Sequence, residues 1–219
     1  MITERCDGLG LSDPARRSAA PGPRSFAEHE VACFWAACGE TPDHFGTLFK
    51  ILLLTGVRPI CATGARCTDV DFSERIWNLP GWPYPLAMPL TAEAERLLRN
   101  VCRDRARQDE RLFRPGRGGA ISAAALARAR SSLAETMDDI CRRNFAGRTI
   151  APWGIRALRF TVRSWLNYDR GRDFAELVLG QTNDRSRRLS EFCCKIPVRR
   201  DGLQAWETAV MAMVGGDVT

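Results

Sequence analysis

The stretch Leu52-Leu-Leu-Thr-Gly-Val-Arg-Pro59 carries the strongest indication of the fold of this chain. Its aliphatic residues belong to an apolar helix predicted over about 41–54, and the glycine and proline that follow predict that the helix ends in a turn. Arg58 lies on that turn, outside the predicted helix. The stretch therefore predicts a helix and a turn that present one arginine.

A first helix is predicted before this stretch. Ser25 and Glu28 have the spacing of a capping box, and an apolar stripe runs from there to a helix end near Gly39. Residues 1–24 contain glycine, proline and small or charged residues without a hydrophobic period, and they are predicted to be a flexible leader. The stripe of the first helix consists of Phe26, Val31, Phe34 and Trp35.

Downstream of the opening stretch the pattern changes to short extended pieces and then returns to helices. The extended pieces at 67–72, 76–79 and 86–89 predict a small antiparallel meander. Helical periodicity predicts further helices over 91–107, 122–143, 156–168, 173–179 and 201–213, with a tail at 214–219. The predicted fold is mainly α with a small three-stranded antiparallel sheet, in one folded unit over 25–213.

The charge of the chain favours a polyanionic partner. The 219 residues include 32 Lys plus Arg against 26 Asp plus Glu, which gives a net charge of +6. Only Lys50 and Lys195 are lysines, and arginine is the side chain that binds phosphate oxygens in a bidentate manner. A GC-rich genome would enrich arginine as well, so the composition leaves that explanation open.

The nine cysteines do not predict a metal site, because no pair has the C-x-x-C spacing. No secretory signal precedes them, and a chain of this length does not need disulfides, so we expect reduced thiols in a cytoplasm. The longest aliphatic run, 51–54, is far too short to cross a membrane.

Several strings of the sequence, taken in order, resemble the catalytic domain of tyrosine recombinases, the phage integrase family. The resemblance covers about 25 to 213. Each matching string is weak evidence alone, but the strings occur in the same order as in the family. The matching strings are Leu52 to Pro59, Thr68-Asp-Val-Asp71 with Ile76-Trp-Asn-Leu-Pro80, Pro89-Leu-Thr91, Leu112-Phe-Arg-Pro115, Ala157-Leu-Arg159 with Thr161 and Trp165, and Leu177-Val-Leu-Gly180.

The resemblance implies a chemistry and a partner. In this family a tyrosine attacks a phosphate of double-stranded DNA, two arginines hold the non-bridging oxygens, and a lysine and histidines assist proton transfer. These residue types suit a reaction that accumulates negative charge on phosphorus and must manage protons on two oxygens. The resemblance further implies no metal or organic cofactor and a bacterial or phage origin.

The two phosphate-binding arginines of the family are matched here. Arg58 stands at the first arginine and Arg159 at the second. Arg156 stands where the family has a histidine. A third guanidinium can bind phosphate, but its pKa above about 12 prevents it from moving protons near neutral pH.

The remaining positions depart from the family pattern. Gln181 stands at a second histidine position, Cys61 replaces an acidic residue, and the lysine expected in the loop at 81–88 is missing. Counting from both sides places Ser190 at the nucleophile, while the only tyrosines, Tyr84 and Tyr168, lie elsewhere. We therefore expect an integrase-like, DNA-binding protein of mobile-element origin that is inactive in strand cleavage and joining.

Three alternatives remain open at this stage. Family members assemble by passing C-terminal segments between protomers, so the chain could dock on, or inhibit, another recombinase protomer through its last helix. A second possibility is a site-specific recombinase with an atypical nucleophile, either Ser190 or the Cys193 and Cys194 pair. A third is a decaying remnant without a selected function. The apolar residues of the last helix are Leu203, Trp206, Val210 and Met213.

Overall fold

The fold is built mainly from helices. A computed structural model of the chain describes residues 24–42, 44–79, 86–103, 111–114, 120–180 and 195–215. Within these residues there are eight α-helices and three strands. The helices are α1 (Glu28–Glu40), α2 (Phe45–Thr55), α3 (Pro59–Gly64), α4 (Ala92–Arg103), α5 (Ala123–Asn144), α6 (Arg156–Arg170), α7 (Arg172–Val178) and α8 (Ile196–Gly215).

The strands form one antiparallel sheet in the order β1 (Val70–Asp71), β2 (Ile76–Leu79) and β3 (Leu86–Pro89). The prediction of a mainly α chain with a small three-stranded antiparallel sheet is confirmed. The first extended piece is shorter than predicted, because Cys67–Asp69 forms a 3₁₀ turn. Asp71 ends β1, since its Oδ1 accepts hydrogen bonds from the backbone N–H groups of Ser73 at 2.9 Å and Glu74 at 3.0 Å.

The N-terminus of α1 differs from the predicted capping box. The helix begins at Glu28, and Glu30 rather than Glu28 caps it by accepting a hydrogen bond from the N–H of Ala27 at 2.9 Å. Glu30 is buried and also pairs with Arg24 at 2.7 Å. The segment 1–23 of the predicted leader lies outside the described residues, whereas Arg24 is held in this ion pair. Glu30 was not identified from the sequence because its third partner, the N–H of Ala151, is remote in the chain.

Helix α3 was not predicted. Pro59 lies in the turn predicted after the helix at 41–54, but it occupies the first position of a new helix, where its fixed φ is favourable and its missing N–H costs nothing. Arg58 is the residue immediately before this helix, as the turn prediction requires. The short helix therefore starts at the candidate site.

Helix α8 packs against the core and contacts both α7 and α4. It begins at Ile196 and continues to Gly215, so it is longer than the predicted 201–213. Gly202 lets it approach α7 closely, since a Cβ there would lie 2.9 Å from a side-chain atom of Phe174. Glu207 caps α4 by accepting a hydrogen bond from the N–H of Glu93 at 3.1 Å.

The apolar face of α8 packs within its own chain. Leu203, Trp206 and Val210 are fully buried, and Met213 packs against the same core. The indole N–H of Trp206 donates to the carbonyl oxygen of Leu53 at 2.8 Å. The face that the sequence offered as a docking element is therefore covered by the chain itself.

Three further properties of the described part of the chain concern reactive cysteines, metal-ligand clusters and membrane-spanning helices. Its cysteines are free thiols, and burial raises the pKa of Cys33 to about 12, which makes this thiol unreactive. No cluster of potential metal ligands occurs among these residues, and none of their helices is long and apolar enough to cross a bilayer. The described cysteines are Cys33, Cys38, Cys61, Cys67, Cys102 and Cys141.

Candidate nucleic-acid interface

The turn after α2 requires a glycine. Gly56 has a left-handed φ of 61°, and its N–H donates to the carbonyl oxygen of Leu52 at 2.9 Å. A Cβ at this position would lie 2.6 Å from a methyl group of Leu179 and 3.4 Å from Val162. A residue with a side chain is therefore disfavoured at position 56 for two reasons: the left-handed backbone conformation, and the close approach of α6 and the end of α7.

Arg159 reaches this turn from α6. Its guanidinium donates to the carbonyl oxygen of Gly56 and, at 3.0 Å, to that of Leu179. The two acceptors belong to the ends of α2 and α7, where helix carbonyls lack partners within the helix. The direction of the Arg159 side chain is therefore fixed by backbone atoms of two neighbouring elements.

The electrostatic setting of Arg159 is unfavourable to its charge. Burial lowers the pKa of its guanidinium to about 10, and the second cause is the positive charge of nearby Arg58. Within the described ranges no carboxylate lies within ion-pair distance of Arg159. The side chain keeps its charge at neutral pH, and none of the described residues supplies an anion to balance it.

Neighbouring arginines differ in this respect. Arg163, one turn further along α6, forms an ion pair with Glu176 at 3.2 Å. Glu176 also forms an ion pair with Arg172 at 2.9 Å.

Arg156 is exposed and is the first residue of α6. It lies three positions before Arg159, a spacing that places the two side chains on neighbouring turns of one helix face. The structure thus brings Arg58 and Arg159 together and places Arg156 on the same helix as Arg159.

Cys61 lies in the first turn of α3, and its N–H donates to the carbonyl oxygen of Arg58 at 2.9 Å. It interacts electrostatically with Arg159 from the position at which the resemblance implies a carboxylate. The carbonyl oxygens of Gly56 and Leu179 orient the guanidinium of Arg159 here.

One buried arginine near the site was missed by the sequence analysis. Arg199 is only 7% exposed, and its Nε donates to the carbonyl oxygen of Leu177 at 3.1 Å. A second donor reaches the carbonyl oxygen of Ala87 at 3.5 Å. Arg199 thereby holds the last turn of α7, which also presents the Leu179 carbonyl to Arg159. No local sequence signal distinguishes it from the exposed arginines nearby.

The other predicted site positions cannot be placed. Gln181 and Ser190 lie outside the described residues, as do Tyr84, Cys193 and Cys194. Tyr168 is described, and it is exposed near the end of α6. The roles assigned to Gln181 and Ser190 therefore stay predictions.

Comparison with solved structures supports the fold. The chain is similar to the crystal structure of XerA recombinase, with a TM-score of 0.53 and 17% sequence identity, over 85% of this chain and 69% of that one. No family model and no curated protein matches the sequence. At this identity the similarity shows the fold alone. The prediction of a fold like that of a tyrosine recombinase is thus confirmed.

Proposed function

We propose that this chain binds the phosphate backbone of double-stranded DNA through Arg58, Arg159 and Arg156, and that it does not cleave or join strands. One observation supports the proposal above the others. The half-buried guanidinium of Arg159 is oriented by two backbone carbonyl oxygens beside a second arginine, and the described residues supply no carboxylate to neutralise it.

The energetics favour an anion at this place. A fall in the pKa of Arg159 from 12.5 to about 10 corresponds to roughly 3 kcal/mol against the charged form. A phosphate oxygen beside the guanidinium would reverse much of that penalty, because opposite charges favour ionisation. Backbone phosphate is the anion that the recombinase fold suggests, and arginine binds it in a bidentate manner.

The proposed lack of cleavage rests on the residues that would have to move protons. Arg156 cannot act as an acid or base near neutral pH, and Gln181 carries no titratable proton. Ser190 would need an adjacent base to become a nucleophile, and neither His29 nor His44 lies near it in sequence. In this proposal the chain therefore keeps the family's phosphate-binding arginines but lacks the nucleophile and the groups that transfer protons.

The remaining parts of the proposal rest on the resemblance. We place the functional unit at 25–213 and assign the protein a mobile-element ancestry, a bacterial or phage origin and a location in the cytoplasm. The alternative of docking on another recombinase protomer gains no support, because the apolar residues of α8 pack in the chain's own core.

The test is retention of the purified protein on short duplex DNA across a salt series. Each phosphate contact contributes about −0.9 to the slope of log affinity against log salt concentration. Three arginines that each contact one phosphate therefore predict a slope of roughly −2 to −3. Two unrelated duplex sequences should bind alike, since phosphate contacts read no sequence. Absence of retention even at low salt would overturn the proposed function.

Cleavage is tested with the variant Ser190→Tyr, incubated with duplex DNA that carries a single nick. We expect no covalent protein–DNA adduct on a denaturing gel, because a tyrosine alone does not restore the proton donors. The variant should still bind DNA as the unchanged protein does, which is the control for its fold. An adduct that resists denaturation would show that the site retains more of its machinery than proposed.

A further inference from the structure

Arg199 lies in the first turn of α8, and its side chain reaches two other elements. Its Nε donates to the carbonyl oxygen of Leu177 in α7 at 3.1 Å, and a terminal nitrogen donates to the carbonyl oxygen of Ala87 in β3 at 3.5 Å. The planar guanidinium can serve both acceptors because its donors point in fixed, different directions. Arg199 therefore links α8 to the end of α7 and to β3.

The Leu177 oxygen belongs to the turn that ends α7. It also accepts a hydrogen bond from the N–H of Gly180 at 3.2 Å, which closes a turn that contains Leu179. The turn packs closely on β3, since a Cβ at Gly180 would lie 2.8 Å from a methyl group of Leu86. Arg199 thus binds the same oxygen that closes the turn.

This turn presents one of the two main-chain oxygens that orient Arg159. The carbonyl oxygen of Leu179 accepts a hydrogen bond from the Arg159 guanidinium at 3.0 Å. Only one residue separates it from Leu177, whose oxygen Arg199 binds. Groups that bind a ligand keep their direction only when neighbouring side chains hold the atoms that orient them. A displaced turn would therefore move an acceptor of Arg159.

We propose that Arg199 is a positioning residue for DNA binding, which holds the turn at the end of α7 and thereby keeps the Arg159 guanidinium directed at a backbone phosphate. This inference rests on the proposed function. Because Arg199 is only 7% exposed, it acts through Arg159 and not by contact with the phosphate. Arg199 should therefore matter for DNA affinity only while Arg159 is present.

The test is a double-mutant cycle that combines Arg199→Lys with Arg159→Ala. The affinity for a labelled DNA duplex is measured at low salt for the unchanged protein, both single variants and the double variant. Lysine keeps the positive charge but lacks the fork that serves two acceptors. We expect Arg199→Lys to weaken binding about 3- to 10-fold when Arg159 is present and less than about 2-fold when it is absent.

The matched control is Arg200→Lys, the same substitution at the next residue of α8. Arg200 donates to the carbonyl oxygen of Glu74 at 3.1 Å, and this acceptor lies in the turn between β1 and β2. The control should change DNA affinity by less than about 2-fold whether or not Arg159 is present. A second variant, Arg199→Met, removes both donors and should weaken binding at least as much as Arg199→Lys.

The outcomes separate this inference from the proposed function. Equal fold-losses with and without Arg159 would mean that Arg199 has a purely structural role and would overturn the inference. Unchanged affinity in both Arg199 variants, or loss of the fold in both on thermal unfolding, would overturn it as well. If Arg159→Ala leaves DNA binding unchanged, the proposed phosphate site fails and the inference fails with it.

Discussion

Alanine in place of Trp206 is expected to lower the free energy of unfolding by about 3–5 kcal/mol, as truncation of a large buried aromatic side chain does. The change removes an indole that is fully buried, that bonds to the Leu53 carbonyl and that packs against Trp165 with 5.4 Å between ring centroids. For a domain of this size each kcal/mol corresponds to about 2–4 °C, so Tm should fall by roughly 6–20 °C. The fall in Tm is measured by thermal unfolding, monitored by circular dichroism.

Two further variants separate the causes. Trp206→Phe keeps most of the ring but leaves the Leu53 carbonyl without its donor, at a cost of about 1–3 kcal/mol. Gln204→Ala, an exposed change on the same helix, should stay within about 0.5 kcal/mol. An unchanged Tm in Trp206→Ala together with a lost oligomer would mean that α8 packs on a partner, which would revive the interaction-module hypothesis.

The variant Arg58→Ala with Arg159→Ala is expected to lose at least about 100-fold in affinity for duplex DNA. Hydrogen bonds to charged groups contribute about 1.5–3 kcal/mol each, and two lost contacts therefore exceed a hundredfold change. The fold should survive, because Arg159 has no carboxylate partner among the described residues and its removal relieves the cost of a buried charge. Fluorescence anisotropy of labelled duplex DNA gives the affinity, and thermal unfolding checks the fold.

The control for this variant removes the same charge elsewhere. Arg128→Ala with Arg143→Ala takes two exposed arginines from α5 and should reduce affinity only through the weaker overall attraction. Arg159→Lys keeps the charge but not the fork that spans the Gly56 and Leu179 carbonyls, so it should bind DNA more weakly than the unchanged protein. Unchanged binding in the double alanine variant would place the DNA-binding surface elsewhere on the molecule.

The parts of the fold that could be predicted from the sequence are those fixed by local signals. Strands β2 and β3 have the predicted bounds, since alternation and flanking turns define them. Helix α5 begins as predicted, with Ser122 Oγ accepting a hydrogen bond from the N–H of Ala125 at 3.1 Å. The positions of Arg58 and Arg159 followed from ordered motifs, and the structure brings these two residues together.

The parts that could not be predicted depend on contacts distant in sequence. Pro59 starts α3 where the sequence predicted only a turn, because proline is acceptable both in a turn and at the first position of a helix. The capping role of Glu30 requires Arg24 and the N–H of Ala151. The burial of Arg199 requires two carbonyls from separate elements. Each of these features appears only after the chain has folded.

The way Arg159 is held has an evolutionary consequence. Its two acceptors are main-chain oxygens of Gly56 and Leu179, and no substitution at those positions deletes a carbonyl. Side chains that move protons can be exchanged one by one without disturbing this hold. Under the function proposed above, a lineage that loses its chemistry can therefore keep Arg159 in position to bind an anion. Loss of the arginine itself, or of the glycine that shapes the turn, would remove that position in one step.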